Sequence, residues 1–460
     1  MPQLQNRSVQ LSLMLASLLC VSAHAQDTRT VTEPVIPPSC TVLKAQLVSD
    51  KGSFADADEA KLDTARIQDA MDKCAKGNAV ELAGDGAKNS FLSGPLQLRA
   101  GVILLVDKGV GLYASRDAKV FETAPDACGK VDDGKNGCYP FISAVNANDT
   151  GIMGDGIVDG RGGSKVLGKS STWWQIAGES KGGTTKQQVP QLVITEHADN
   201  FTLYRITLKN SPHFHFVPHD SNGITVWGLK IDTPTDTPNT DGFDPGGGTT
   251  NITITHSYIR DGDDNIAIKG GDGGVTNMSV LHNHFYYGHG MSIGSETYGG
   301  VSNLLVDDLS LDGEMYGIRI KSNPTRGGLV KDATYKDVCI RNISKNPLLF
   351  TADYAWPGGA AGRLPVYQNI LLQNVRISGG GKIDVEGLDT THRVGIQFDG
   401  VLLTDSPNSY KVTMKHADVT LGPGPVNIPM AGEDSTLRGK AGSGALASCG
   451  DKFVPFPVTQ

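Results

Sequence analysis

No stretch of this chain approaches the ~20 consecutive apolar residues that a membrane-crossing helix needs. Lysine and arginine are nowhere gathered into runs, and the formal charge of the 460 residues is −8, which excludes nucleic acid as a partner. No two cysteines have the short spacing of a zinc ribbon. Aromatic residues make up 6%, too few for a groove that binds sugars by ring stacking alone. Helical periodicity is almost absent, so an all-β chain is expected.

What is present begins with Arg7, the apolar run Leu11–Val21 and Ala23-His24-Ala25. These read as a secretory signal over residues 1–25, with export to the extracellular medium and no membrane anchor. Without Arg7 the remaining chain stands at −9. Loss of Cys20 leaves Cys40, Cys74, Cys128, Cys138, Cys339 and Cys449, an even set bound for an oxidising compartment. Local spacing favours Cys40 with Cys74, Cys128 with Cys138, and Cys339 with Cys449, although sequence alone selects no connectivity. The regularity described next makes residues 26–460 one domain, with an N-terminal cap over about 26–100, and a monomer is expected.

Asparagine precedes an alternating apolar strand at Asn200, Asn222, Asn251, Asn277 and Asn303, at spacings of 22, 29, 26 and 26 residues. Turns rich in glycine, aspartate and serine fill the intervals, and glycine reaches 57 residues. Short strands at such a period without helices predict a β-solenoid, a single-stranded right-handed parallel β-helix. A leucine-rich repeat lacks its consensus here, and a propeller needs a longer repeat with its own signature. Asn200, Asn251 and Asn277 each open an Asn-X-Ser/Thr sequon. Tolerance of a left-handed turn explains these asparagines better than glycosylation does.

A second repeat carries the chemistry. Aligning Phe243, Ile266, Met291 and Ile318 places Asp241, Asp264, His289 and Tyr316 two residues before each, at separations of 23, 25 and 27. Adjacent strands lie ~4.7–4.9 Å apart, so these side chains form a ladder, with Asp263 beside Asp264. Alternation sends Ile318 and Ile320 inward, and Arg319 and Lys321 outward onto the same face. Crowded carboxylates repel, so one of them is expected to keep its proton to unusually high pH. Simple turn chemistry does not explain four consecutive coils in register. A calcium site is disfavoured because the ladder runs on into His, Arg and Lys.

Asn239-Thr240-Asp241-Gly242, Gly262-Asp263-Asp264-Asn265, Gly288-His289-Gly290 and Arg319-Ile320-Lys321 together resemble the polygalacturonases, glycoside hydrolase family 28. Gly156–Gly162 with Trp173-Trp174, and Asn210-Ser211-Pro212, are similar to two further family turns. The resemblance implies hydrolysis, with inversion, of the α-1,4 bonds between galacturonic acid units of pectin (polygalacturonate); no metal or cofactor is expected, and internal cleavage is expected over cleavage from chain ends, a choice that rests on the loops closing the groove. It implies Asp263 as general acid, and Asp241 and Asp264 as activators of water. By the same resemblance His289 adjusts the acid's protonation, Arg319 and Lys321 hold substrate carboxylates, and Asn239 and Tyr354 contact sugar. Coil spacing of ~5 Å by itself suits the shorter carboxylate separation of a retaining enzyme, but backbone spacing does not fix where carboxyl oxygens point.

Three features depart from the family or lie outside the match. Asn265 stands where many members carry cysteine, Gly270–Gly274 makes a longer turn beside the site, and the segments 27–60 and 420–460 resemble nothing known. A pectate lyase shares solenoid and substrate but depends on calcium and a basic proton acceptor. A rhamnogalacturonan hydrolase is a nearer relative, whose family pattern lacks the Asn-Thr-Asp and Gly-His-Gly motifs in this form. A non-catalytic adhesin leaves the carboxylate ladder without a purpose.

Overall fold

The computed structural model describes residues 26–180, 184–355, 361–430 and 432–458. The signal expected over residues 1–25 lies outside them. The strands join in one 25-stranded sheet that winds as a parallel β-helix, with a 4-stranded parallel set and a short antiparallel pair beside it. Among the described residues, no helix is long and apolar enough to cross a membrane.

Period-2 alternation builds the coil. Phe243, Ile266, Met291, Ile318 and Leu348 pair in register across successive turns and are fully buried. Phe216 stacks on Phe243 with ring centroids 5.1 Å apart, extending the same inner column toward the N-terminus. The inner column and the carboxylate ladder beside it therefore share one register, as the aligned apolar positions predict.

The asparagine repeat is present with one shift. Asn200, Asn251, Asn277 and Asn303 adopt φ of 54–59°, the left-handed conformation that asparagine tolerates. In the second of these repeats that place belongs to Gly223 (φ 93°) and not to Asn222, because a Cβ there would come within 2.7 Å of Asn200 Oδ1. The amides are used in stacking: Asn251 donates to Asn222 Oδ1 at 2.8 Å, and Asn303 to Asn277 Oδ1 at 2.9 Å.

The helix Thr64–Lys73 tucks Ile67 and Met71 into the first coils. Two segments without a sequence signature run along the outside of later coils. Asp27 is tied to Ser279 and Thr253, Arg29 to Ile224, and Glu33 to Tyr204, so residues 27–33 strap the flank instead of capping the end. Lys452 pairs with Asp308, Phe453 lies under Arg341, and Phe456 lies under Arg260, a C-terminal strap across neighbouring coils. The disulfides are Cys40–Cys74, Cys128–Cys138 and Cys339–Cys449, the pairs that spacing favours, and the third anchors this strap.

Candidate active site

The site is a column of turns. The strands Ile157–Asp159, Thr207–Lys209, Lys230–Asp232 and Tyr258–Arg260 stack in parallel register. The turns that leave them carry, in order, Arg161, His213, Asp241 and Asp263-Asp264. The next two turns carry His289 and Tyr316. Backbone bonds lock the turns together: Gly242 N–H donates to the Asp264 carbonyl at 2.8 Å, and His289 N–H to the Asp263 carbonyl at 2.6 Å. Asn265 adds a staple, accepting from Gly290 N–H at 2.9 Å and donating to the Tyr287 carbonyl at 3.2 Å. At this position a side-chain amide bridges two turns, a task that a thiol's weak hydrogen bonding does not match.

Asp264 is fully buried and held from three sides. Lys321 Nζ donates to Oδ2 at 2.9 Å, Ser292 Oγ to Oδ1 at 3.0 Å, and Arg319 Nη2 pairs with Oδ1. Burial alone raises this carboxyl, but Arg319 and then Lys321 outweigh it and hold it far below the ordinary carboxylate range. Arg319 and Lys321 lie on the outer face of their strand, as alternation requires, yet they are 3% and 6% exposed and already engaged by Asp264. Tyr316 and Tyr354 cover them, with Arg319 Cζ 4.2 Å from the Tyr316 ring centroid and Lys321 Nζ 5.4 Å from that of Tyr354.

Asp263 is half-buried. Its Oδ1 lies 2.9 Å from His289 Nδ1, and its N–H donates to Asp261 Oδ1 at 3.2 Å. Burial raises Asp263, while the His289 bond, assisted by Lys321, brings it below its ordinary value. Of the three motif carboxyls, the one that keeps its proton is Asp241, raised to about 7 by burial and then by the charge of Asp263; burial also holds the neighbouring Asp244 and Asp261 well above the ordinary carboxylate range. The sequence anticipates one such group in the cluster; the structure puts it on Asp241 and not on Asp263. Asn239 sits two residues before it in a left-handed turn (φ 51°), half-buried.

Two charged residues belong to the cluster that motif reading passes over. Lys269 Nζ lies 3.4 Å from Asp241 Oδ2 and 3.8 Å from Asp244 Oδ2, and Asp244 is itself 1% exposed. Register contains the signal for both, because Ile268 pairs with Ile293 and that with Ile320. Lys269 therefore occupies the position of Lys321 two coils earlier, and Asp244 that of Arg319 three coils earlier. Asp263, Asp264 and His289 place one ligand atom each within 4.8 Å of the others, a spacing a metal ion uses. Arg319 and Lys321 already saturate Asp264, and their charge opposes a second cation there.

The three motif carboxyls thus combine one proton held to about pH 7 on Asp241, one permanently ionised carboxylate at Asp264, and at Asp263 a carboxylate that its histidine partner holds below its ordinary value. Such a set of groups can deliver a proton to a leaving oxygen while polarising water.

Comparison with known proteins gives the same direction. The model of Glycosyl hydrolases family 28 matches residues 87–421. An endo-polygalacturonase of Pectobacterium carotovorum subsp. carotovorum is 42% identical over 400 residues, covering 86% of this chain and 95% of that protein. A polygalacturonase of Ralstonia nicotianae is 36% identical over 515 residues, covering 96% of both. The solved polygalacturonase from Erwinia carotovora ssp. carotovora superposes with a TM-score of 0.78 at 40% identity, covering 85% of this chain and 99% of that one. With the ladder, the coil and these relatives in agreement, the chain belongs to family 28 of the glycosyl hydrolases.

Proposed function

We propose that this glycoside hydrolase is an exported, endo-acting polygalacturonase that cleaves α-1,4 bonds between galacturonate units with inversion, as a monomer and without metal or cofactor. The observation that carries the reading is the three-carboxylate cluster of Asp241, Asp263 and Asp264, in which burial and paired cations drive neighbouring acids to opposite protonation states. The names of the relatives above support the substrate and the internal mode of attack.

In this mechanism Asp263 protonates the departing glycosidic oxygen, and Asp241 with Asp264 aligns and deprotonates the attacking water. An anionic sugar entering the cleft adds negative charge beside Asp263 and raises its proton affinity, opposing the His289 contact that favours the ionised form. Arg319 and Lys321 serve first as the clamp on Asp264. Their remaining N–H groups, with Tyr354 and Asn239, face the sugar and its carboxylate.

A second reading exchanges two roles, because Asp241 is the group that holds a proton in the free site. An aryl galacturonide with a leaving group that departs unprotonated separates them: the variant lacking the acid regains activity on it, and the variant lacking the base does not. Recovery of Asp263→Asn supports the first assignment, and recovery of Asp241→Asn the second. Early product lengths on polygalacturonate test the mode of attack. Mixed oligomers are expected, and monomer or dimer alone from the outset would show attack from chain ends.

A further inference from the structure

Beneath the catalytic turns lie two acids that the chemistry of the cleft does not use. Asp261 and Glu314 are both 0% exposed. They follow strands in one register, in which Ile259 pairs with Phe285 and that with Leu311, so they sit two coils apart with the turn of residues 287–290 between them. Alternation carries Asp261 to the inner side with Ile259, and both lie under the turn of Asp241: a Cβ added to Gly242 would stand 2.8 Å from Asp261 Oδ2 and 3.0 Å from Ile259 Cγ2.

Asp261 Oδ1 accepts the Asp263 N–H at 3.2 Å, and the Asp261 N–H donates to the Tyr287 carbonyl at 3.3 Å. Asp261 Oδ2 and both Glu314 carboxyl oxygens have no hydrogen-bond partner, and the Gly290 N–H beside Glu314 is given to Asn265 Oδ1 at 2.9 Å. A carboxylate buried without cation or donors is far more costly than its acid form. The charges that bear on the two are acids as well: Glu314, Asp241 and Asp263 upon Asp261, and Asp312 and Asp264 upon Glu314. Cations of these coils are engaged elsewhere. Arg260 Nε donates to Asp232 at 2.8 Å, Arg341 pairs with Asp312, and Arg319 and Lys321 grip Asp264.

We infer that Asp261 is a positioning residue for the reaction, forming with Glu314 a neutral, protonated pair whose accepting oxygen fixes the turn that presents Asp263 to the substrate. The inference rests on the polygalacturonase reading, in which Asp263 gives the proton, and adds to it what holds that acid in place. Ionisation of either member puts an uncompensated charge under the turns of Asp241 and Asp263, so the pair also sets an upper pH for the assembled site.

The test is kinetics on polygalacturonate and thermal unfolding of Asp261→Ala, Asp261→Asn and the double variant Asp261→Asn, Glu314→Gln. Alanine removes the acceptor, and a misplaced acid predicts about 10²-fold lower kcat with KM held. Asparagine keeps an accepting oxygen and restores most of that loss. The folded pair retains protons that an unfolded chain releases above about pH 4, so native stability falls as pH rises from there. The amides cannot ionise, hence the unfolding midpoint of the double variant gains on the native one between pH 4.5 and pH 8. Asparagine as damaging as alanine overturns the inference, and so does a double variant that gains nothing at pH 8 or falls below the native midpoint, as an ionised pair holding a cation requires. A native enzyme that cuts no polygalacturonate overturns the hydrolytic reading instead, while the unfolding comparison, which needs no substrate, still decides the charge of the pair.

Discussion

Replacing Asp264 by asparagine removes the carboxylate that Arg319 and Lys321 both grip. All three side chains are nearly inaccessible, at 1%, 3% and 7% exposure, so the two cations stay behind in a medium that solvates them poorly. An exposed pair is worth roughly 0–1 kcal/mol, whereas breaking a buried one costs about 3–5 kcal/mol because the abandoned charge has no counterion. The larger figure applies here, offset in part by the Ser292 hydroxyl and by the tyrosine rings over both cations. Asp263→Asn is the matched control. Its carboxylate and His289 are 24% and 22% exposed, and its loss predicts roughly 1 kcal/mol or less. Denaturant unfolding of both variants is the assay, with an unchanged m-value required for comparison. Both are expected to be inactive, but only Asp264→Asn should unfold at markedly lower denaturant. Equal midpoints would refute the argument that Arg319 and Lys321 depend on Asp264.

Asp263→Asn should lower kcat by roughly 10²–10⁴-fold with little change in oligomer binding, measured by calorimetry, since proton donation acts in the transition state. The active site must carry a proton, and Asp241 holds one to about 7, so kcat/KM should fall as pH rises through about 7. Lys269 lowers Asp241, hence Lys269→Met should move that limb to higher pH, and a limb that stays in place would separate it from Asp241. Arg319→Asn and Lys321→Asn should lose activity on de-esterified and on methyl-esterified polymer alike, because each releases Asp264 as well as any substrate contact. A loss confined to the charged polymer would mean that they read substrate charge alone.

The coil and its ladder were legible because both rest on period. Isoleucine at 266, 268, 293, 318 and 320 announces an inner column, and fixed offsets from it locate Asp241, Asp264 and His289. Alternation says on which side of a strand a residue stands but not what covers it, so Arg319 and Lys321 read as open cations although Asp264 and two tyrosines enclose them. Lys269 and Asp244 lie in the same register and were missed because no motif marks them. The proton stays on Asp241 because depth of burial outweighs the opposing charge of Lys269 at 3.4 Å, and neither is a sequence pattern. The straps at residues 27–33 and 452–456 are extended segments without repeat, placed by single contacts such as Glu33 to Tyr204 and Lys452 to Asp308.

The most direct test of the account is to incubate the enzyme with polygalacturonate in the presence of a chelator, following reducing ends and the ultraviolet absorbance of unsaturated sugars together, with Asp263→Asn alongside. The account predicts reducing ends from the native enzyme, no absorbance, and neither signal from the variant. Absorbance growing with the reducing ends, or activity lost to the chelator and restored by calcium, would show elimination at a metal site and contradict it.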